Sequence, residues 1–307
     1  MRYVLITPAR NEALYIADTI RSVVSQTQPP IRWIIANDGS TDATPEIIDR
    51  YASKYSWIER LDMPAHRDRS FAAKVYCFNA ACVRLGELDF DVIGNLDADI
   101  TFEKDFFAFL LSKFDEDSLL GVAGAPYLEG RYDSAEDSFA GACHVSGGCQ
   151  LFRRECFRDV GGYVPIKLGG VDWVAVTTAR MKGWTTRSFD EKRFIHHRPV
   201  GTAERSPLAA QFLYGEKDYY FGNHPVWEMC RIGYRAVRRP YLVGALALLL
   251  GYSRAALRRS ERPISGQLMD FHRREQMRKL RTILWSIVRL RRTSKFRLLM
   301  RHSTERR

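Results

Sequence analysis

A chain of 307 residues with 46% hydrophobic and 27% charged residues can bury one large domain with an appendage, and its composition is that of a globular protein. The net charge of +11 is unevenly placed: Pro225 to Arg307 holds 21 Lys and Arg against 5 Asp and Glu, whereas the first 224 residues hold 26 against 31. Six cysteines without a C-x-x-C pair argue for reduced thiols and against structural zinc, and "MRYVLITPA" is too short an apolar run for a secretory leader, so a cytoplasmic location is expected.

The first predicted element is a strand, "YVLIT", ending at "PARNE". Ile16, Ile20, Val23 and Val24 then recur at helical spacing. "WIIAN" is a second strand, closed by the turn cluster "DGSTD". Thr44-Pro45 opens a second helix, with Thr44 as N-cap and Ile47, Ile48 and Tyr51 on its core side. "FDVIGNL" is a third apolar strand, running into Asp97 and Asp99. Alternating strands and helices predict an α/β fold with a mostly parallel sheet flanked by helices, and such sheets bind ligands at the carboxyl ends of their strands. The three polar clusters all follow strand ends and are expected to converge on one crevice.

Farther along, a Gly-rich middle predicts loops, edge strands and a helix, and "DWVAVTTARMKGW" reads as a helix ending near Gly183. From Pro225 the character changes. "YLVGALALLLGY" has no charge, is bracketed by Arg238, Arg239, Arg254, Arg258 and Arg259, and is too short to span a bilayer, which needs about 20 residues. It reads as a buried helix or as an interfacial segment. Leu280, Ile283, Leu284 and Ile287 share a face of a later basic helix, a pattern common at anionic membrane surfaces. The expected division is residues 1–224 and a basic, helical, membrane-associating region 225–307.

The chemistry sits at the strand ends. Carboxylates are seldom buried unpaired. Asp97 and Asp99 offer hard oxygens suited to Mg²⁺ or Mn²⁺ together with substrate phosphates. Asp38 and Asp42 either form the turn, with Gly39 permitting the bend, or hydrogen-bond a base and ribose. Arg10 and Glu12 are placed to grip the same ligand, or else form an ordinary surface ion pair.

The ordered blocks "TPARNEALYIADTIRSVVSQT", "WIIANDGSTDAT" and "NLDADI" resemble family 2 of the inverting glycosyltransferases over roughly the first 200 residues, and "FGNHPVWEMCRIGYRAVRRPYLVGALALLLGYSRAALRR" looks like the tails of bacterial exopolysaccharide or O-antigen transferases. The resemblance implies a GT-A fold, a nucleotide-diphosphate sugar donor and a divalent metal. By position it implies nucleotide contacts at Pro8, Arg10 and Glu12, base binding by Asp38, and a metal motif at Asp97 and Asp99, with Asp97 leaning to the nucleotide and Asp99 to the metal. "RSFAAKVYCFNAA" is similar, more loosely, to a donor-side segment and adds Lys74 and Asn79. "SGGCQLFRRECFRDVGGY" resembles an acceptor-side segment. "GGVDWVAVTTARMKGW" resembles the segment carrying the base, usually G-E-D; here it reads G-V-D, so Asp172 is the one candidate, with Val171 in the other acidic position. Inverting transfer needs such a carboxylate to take the acceptor's proton. "FIHHRPVGTA" is similar to a late histidine motif that completes the metal site. Neighbouring strand residues point to opposite faces, so one of the two histidines is expected to be a ligand; His196 is taken as the candidate with His197 as the alternative, and Arg198 suits a diphosphate.

The expected reaction is transfer from a nucleotide-diphosphate sugar to a lipid-linked saccharide in cell-surface polysaccharide synthesis, by an enzyme associated peripherally with the cytoplasmic face of the cell membrane and not with nucleic acid. The alternatives are a polyprenyl-phosphate glycosyltransferase and a non-catalytic sugar-nucleotide-binding protein on the same scaffold. A sugar-phosphate nucleotidyltransferase is disfavoured, since "TPARNEA" has no glycine to wrap a phosphate.

Overall fold

The computed structural model describes residues 1–64, 71–137, 141–198 and 206–288. Two compact units make up the chain, Met1–Arg198 and Pro199–Arg307.

The first unit opens with β1 (Tyr3–Ala9), α1 (Ile16–Val24), β2 (Arg32–Asn37), α2 (Thr44–Ala52), β3 (Ile58–Asp62), α3 (Phe71–Leu85) and β4 (Val92–Leu96). A short β5 (Ile100–Phe102) and α4 (Phe106–Glu116) follow, then β6 (Leu120–Gly124), β7 (Tyr127–Glu129), β8 (Tyr132–Asp133) and α5 (Ser134–Asp137). The unit ends with β9 (Cys149–Arg153), α6 (Arg154–Val160), α7 (Val171–Met181), β10 (Thr185–Ser188) and β11 (Phe194–His196). Seven strands form one sheet in the order β10-β6-β9-β4-β1-β2-β3, and four form a second, β5-β11-β7-β8. Most pairings in the large sheet are parallel; β9 alone runs antiparallel, to β4 and β6.

Both faces of the large sheet are buried, which is why its inner strands read as unbroken apolar runs. Tyr3 and Leu5 of β1 enter one core with Ile16, Ile20, Ile48 and Phe107. Val4 and Ile6 enter the other with Phe78, Phe152 and Val176. This is the period-two alternation of a strand between two helical layers.

The predicted strands and helices appear, with three differences. Thr44 is the first residue of α2, not its cap, and its hydroxyl bonds Asp42 instead, at 2.5 Å. β3 went unread because only Ile58 of its five residues is fully buried. The Gly-rich middle supplies more than edge strands: β9 lies inside the large sheet, and four of its five residues are buried.

Two registers place the site. Leu96 pairs with Cys149, so the residues before β9 lie beside those after β4. His196 pairs with Ile100, which sets β11 beside the Asp97–Asp99 turn. The pairing of β1 with β4 stops at Ile6 and Asn95, whereas β1 stays paired with β2 through Ala9. The carboxyl ends of β1 and β4 therefore part, opening a crevice. Pro8, which has no N–H to give, sits where the β4 ladder has ended.

The second unit contains α8 (Pro207–Tyr220), α9 (Pro225–Ala236), α10 (Tyr241–Leu257) and α11 (Gly266–Val288). The charge boundary at Pro225 falls inside this unit, at the start of α9. The reason is packing: a Cβ on Gly251 of α10 would collide with the Phe212 carbonyl of α8, and one on Gly215 with the Leu248 carbonyl. α8 and α10 thus touch backbone to backbone and belong together. No described helix is long and apolar enough to cross a membrane. On α11, Leu280 is buried while Leu284 is exposed. The Ile287 side chain and the basic run after Val288 lie outside the described residues.

Candidate active site

The first two loops are tied to each other. Asn11 takes a left-handed backbone, φ 55°, and its Oδ1 accepts from Thr41 N at 2.8 Å. Asp42 Oδ2 accepts from Ala13 N at 3.0 Å. Burial works against the Asp42 charge, yet hydrogen bonds from Thr44 and Ala13 hold its carboxyl below the usual range. Asp42 is therefore a loop tie. Asp38, buried at the end of β2, faces Arg10 at 3.6 Å. Pro8 is buried in β1.

The Asp97–Asp99 turn is pinned from below. Buried Thr19 of α1 accepts from Ile100 N at 3.2 Å and donates to the Ala98 carbonyl at 2.8 Å. Asp97 N donates to the Gly148 carbonyl at 2.8 Å. Both carboxylates then face upward into a ring of charge. Lys74 Nζ lies 3.0 Å from Asp97 Oδ1. His196 Nε2 is 3.7 Å from Asp99 Oδ1, and Arg198 Nε is 3.8 Å from Asp99 Oδ2. Arg198 also bonds Glu12. Proximity to Asp97 raises the Lys74 pKa. Burial raises Asp99, and the charge of Asp97 adds to the rise. Glu12 is pushed up to about 7, by burial first, with Arg198 pulling it down and Asp99 pushing it up. Three crowded acids thus favour any added positive charge.

The residues fit a divalent cation. Ligand atoms of Asp97, Asp99 and His196 lie within 4.8 Å of one another, and two carboxylates with an imidazole suit Mn²⁺ or Mg²⁺. His196 Nδ1 bonds the Arg198 carbonyl, which can only accept, so in the neutral ring Nε2 turns a lone pair toward Asp99. A divalent cation between that lone pair and the carboxylate would satisfy both. Asp97 joins this cluster directly, in addition to its contact with Lys74. His197 points elsewhere: its Nε2 is 2.9 Å from Thr101 Oγ1 and its ring stacks on Tyr15.

Asp172 lies in the first turn of α7, whose N-cap is Gly170, so it does not cap the helix. Gly147 N donates to its Oδ2 at 3.2 Å, and the Gly147 carbonyl accepts from Asn95 Nδ2 at 2.7 Å. Val171, in the departing position, packs against the second core. His144, with Nε2 3.9 Å from Asp172 Oδ2, was not singled out from the sequence. The one available signal was its place just before "SGG". Asn79 is exposed on α3 and is not among the residues gathered here.

Residues 4–138 match the family model described as glycosyl transferase family 2. The poly-beta-1,6-N-acetyl-D-glucosamine synthase of Staphylococcus epidermidis is 28% identical over 170 residues, 49% of this chain and 39% of that protein. The chain thus spans well under half the length of this curated relative. Among solved structures, a Pyrobaculum calidifontis mannosyltransferase, PcManGT, in complex with GDP-Man and Mn²⁺ aligns with a TM-score of 0.56 at 15% identity, covering 99% of this chain and 86% of that one. S. aureus TarS 1-349 in complex with UDP-GlcNAc aligns with a TM-score of 0.52 at 14% identity, covering 70% and 65%. At such identities the likeness is one of fold. Residues 4–138 thus match the family 2 model, and the first unit shares the GT-A fold of these glycosyltransferase structures.

Proposed function

We propose that this protein is an inverting glycosyltransferase that moves a sugar from a nucleotide-diphosphate donor to a lipid-linked saccharide at the inner face of the cell membrane, in cell-surface polysaccharide synthesis. The observation that carries the reading is the Gly147–Gly148 segment. It holds Asp172 through the Gly147 amide and Asp97 through the Gly148 carbonyl. One short stretch of backbone thereby couples a candidate base to a candidate diphosphate site. The relatives named above, a polysaccharide synthase and sugar-nucleotide-bound structures, support the same class.

In this reading Asp38 and Arg10 hold the base, and Lys74 and Arg198 lie along the diphosphate. Asp97, Asp99 and His196 would hold a divalent cation, which supplies positive charge for the departing diphosphate. Asp172 takes the proton of the acceptor hydroxyl as its oxygen attacks the anomeric carbon from the face opposite the leaving group. Two contacts address Asp172 Oδ2, the Gly147 amide and His144, and in this reading Oδ1 takes the proton.

The test is Asp172→Asn. It should keep the fold and bind donor, read as thermal stabilisation by UDP-GlcNAc or GDP-mannose with Mn²⁺, while transfer falls by a factor of about 10³ or more. Near-normal turnover in this variant would remove Asp172 from the role.

A further inference from the structure

α10 is built inside out for a helix in water. The positions it turns inward are Gly244, Ala245, Leu248, Gly251 and Ala255. The positions it turns outward are Leu242, Val243, Leu246, Leu249, Leu250 and Leu257, with Leu242 at 73% and Leu257 at 85% exposure. At about 100° per residue these six fall in one stripe roughly 120° wide, opposite the glycines and alanines. A water-facing helix buries its large apolar residues and exposes its polar ones. Helices in hydrocarbon do the reverse: small residues let backbones approach, and leucines meet lipid. The glycine-mediated contact of Gly251 with the Phe212 carbonyl and of Gly215 with the Leu248 carbonyl is of this second kind.

Charge identifies the occupant. Within Tyr241–Leu257 the one charged residue is Arg254, which is paired with Glu216 of α8 at 3.0 Å, and no acid occurs, so the charge open to a partner is that of the flanking arginines. Arg239 precedes the helix and Arg258 and Arg259 follow it, all exposed. A second copy of this chain would bring the same arginines against one another. An anionic lipid surface would pair them with phosphates while the leucines enter the acyl layer. The 17 residues of α10 measure about 25 Å at ~1.5 Å per residue, short of a hydrocarbon core of about 30 Å. With its glycine face held by α8, the helix lies along the surface and does not cross it.

We propose that the outward stripe of α10 seats in the headgroup–acyl boundary of an anionic bilayer. This docking surface stands independently of the transfer chemistry, since it is built from α8 and α10 alone. The experiment is flotation of the full chain with phosphatidylglycerol–phosphatidylcholine vesicles and with pure phosphatidylcholine. Wild type should float with the anionic vesicles, less so as salt rises. The triple variant Leu246→Gln/Leu249→Gln/Leu250→Gln should bind at least about tenfold more weakly with an unchanged thermal melt, because the removed side chains are exposed. Should the triple variant melt early, Leu242→Gln and Leu257→Gln at the ends of the stripe serve instead, each lowering binding about threefold or more. Absence of wild-type flotation, equal flotation of the variants, or a wild-type dimer that the triple variant converts to monomer without vesicle binding would each overturn the proposal.

Discussion

Gly147 is crowded by the residue it serves. A Cβ there would stand 3.1 Å from Asp172 Cβ and 3.2 Å from its Oδ2, so Gly147→Ala must displace the carboxylate by a few tenths of an ångström. The expected outcome is a fall in kcat of about tenfold, since misplacing a reacting group is costly, with donor binding and melting temperature nearly unchanged. Steady-state kinetics with a calorimetric donor titration check it. Asp99→Asn bears on the other half of the site: it should abolish stabilisation of the protein by Mn²⁺ in a thermal shift assay, and full retention would take Asp99 out of the cation site. At this scale the sequence was informative where a carboxylate ended a buried strand, as at Asp38, Asp97 and Asp99. His144 was hidden because its partner lies 28 positions away, across a Gly-rich loop with no period to read.

Burial made some elements legible and not others: β6, buried at all five positions, and α4, with five buried apolar residues, are not among the predicted elements. β1, β2 and β4 are apolar runs buried on both faces, and α1 repeats Ile16, Ile20 and Val23 on one buried face. β3, at the sheet's edge, keeps a half-polar sequence that alternates weakly. α10 shows the limit of pattern reading: an uncharged run announces a helix but not which face is inward. That choice is made by glycines whose role is visible once α8 lies against them. Two glycines of the second unit should consequently respond in opposite directions. Gly251→Ala drives a Cβ into the Phe212 carbonyl and should destabilise by about 1–3 kcal/mol. Gly233→Ala, in the middle of α9 with open space around it, should stabilise by about 0.5–1 kcal/mol through helix propensity. Chemical denaturation followed by circular dichroism separates the two signs. Equal effects would mean that α8 and α10 do not meet at Gly251.

For the molecule as a whole, the sequence divided the chain by charge and the structure divides it by packing, and the second unit carries a charge problem that composition hides. Amid its arginines it buries Asp218 and Glu228, along with Asn223 and Gln276. Arg231 pairs with Asp218, and Asn223 Nδ2 donates to Glu228 Oε2 at 3.1 Å. Among the described residues one oxygen of each acid, Asp218 Oδ2 and Glu228 Oε1, has no hydrogen-bond partner, so a proton held on Asp218 would relieve the pair. Burial, reinforced by Glu228 against the pull of Arg231, pushes Asp218 up to about 7. The sign follows from linkage: the folded state holds a proton that the unfolded state, with an aspartate near its ordinary 3.8, has released. Stability from this group is full below pH 4 and is lost as pH rises through 7. Asp218→Asn keeps an acceptor for Arg231 and offers Glu228 a permanent donor. The variant should therefore melt with little dependence on pH between 5 and 8, whereas the wild-type melting temperature falls over that range. Parallel wild-type and variant profiles would show that Asp218 is ionised in the folded protein throughout, with Arg231 outweighing the cost of burial.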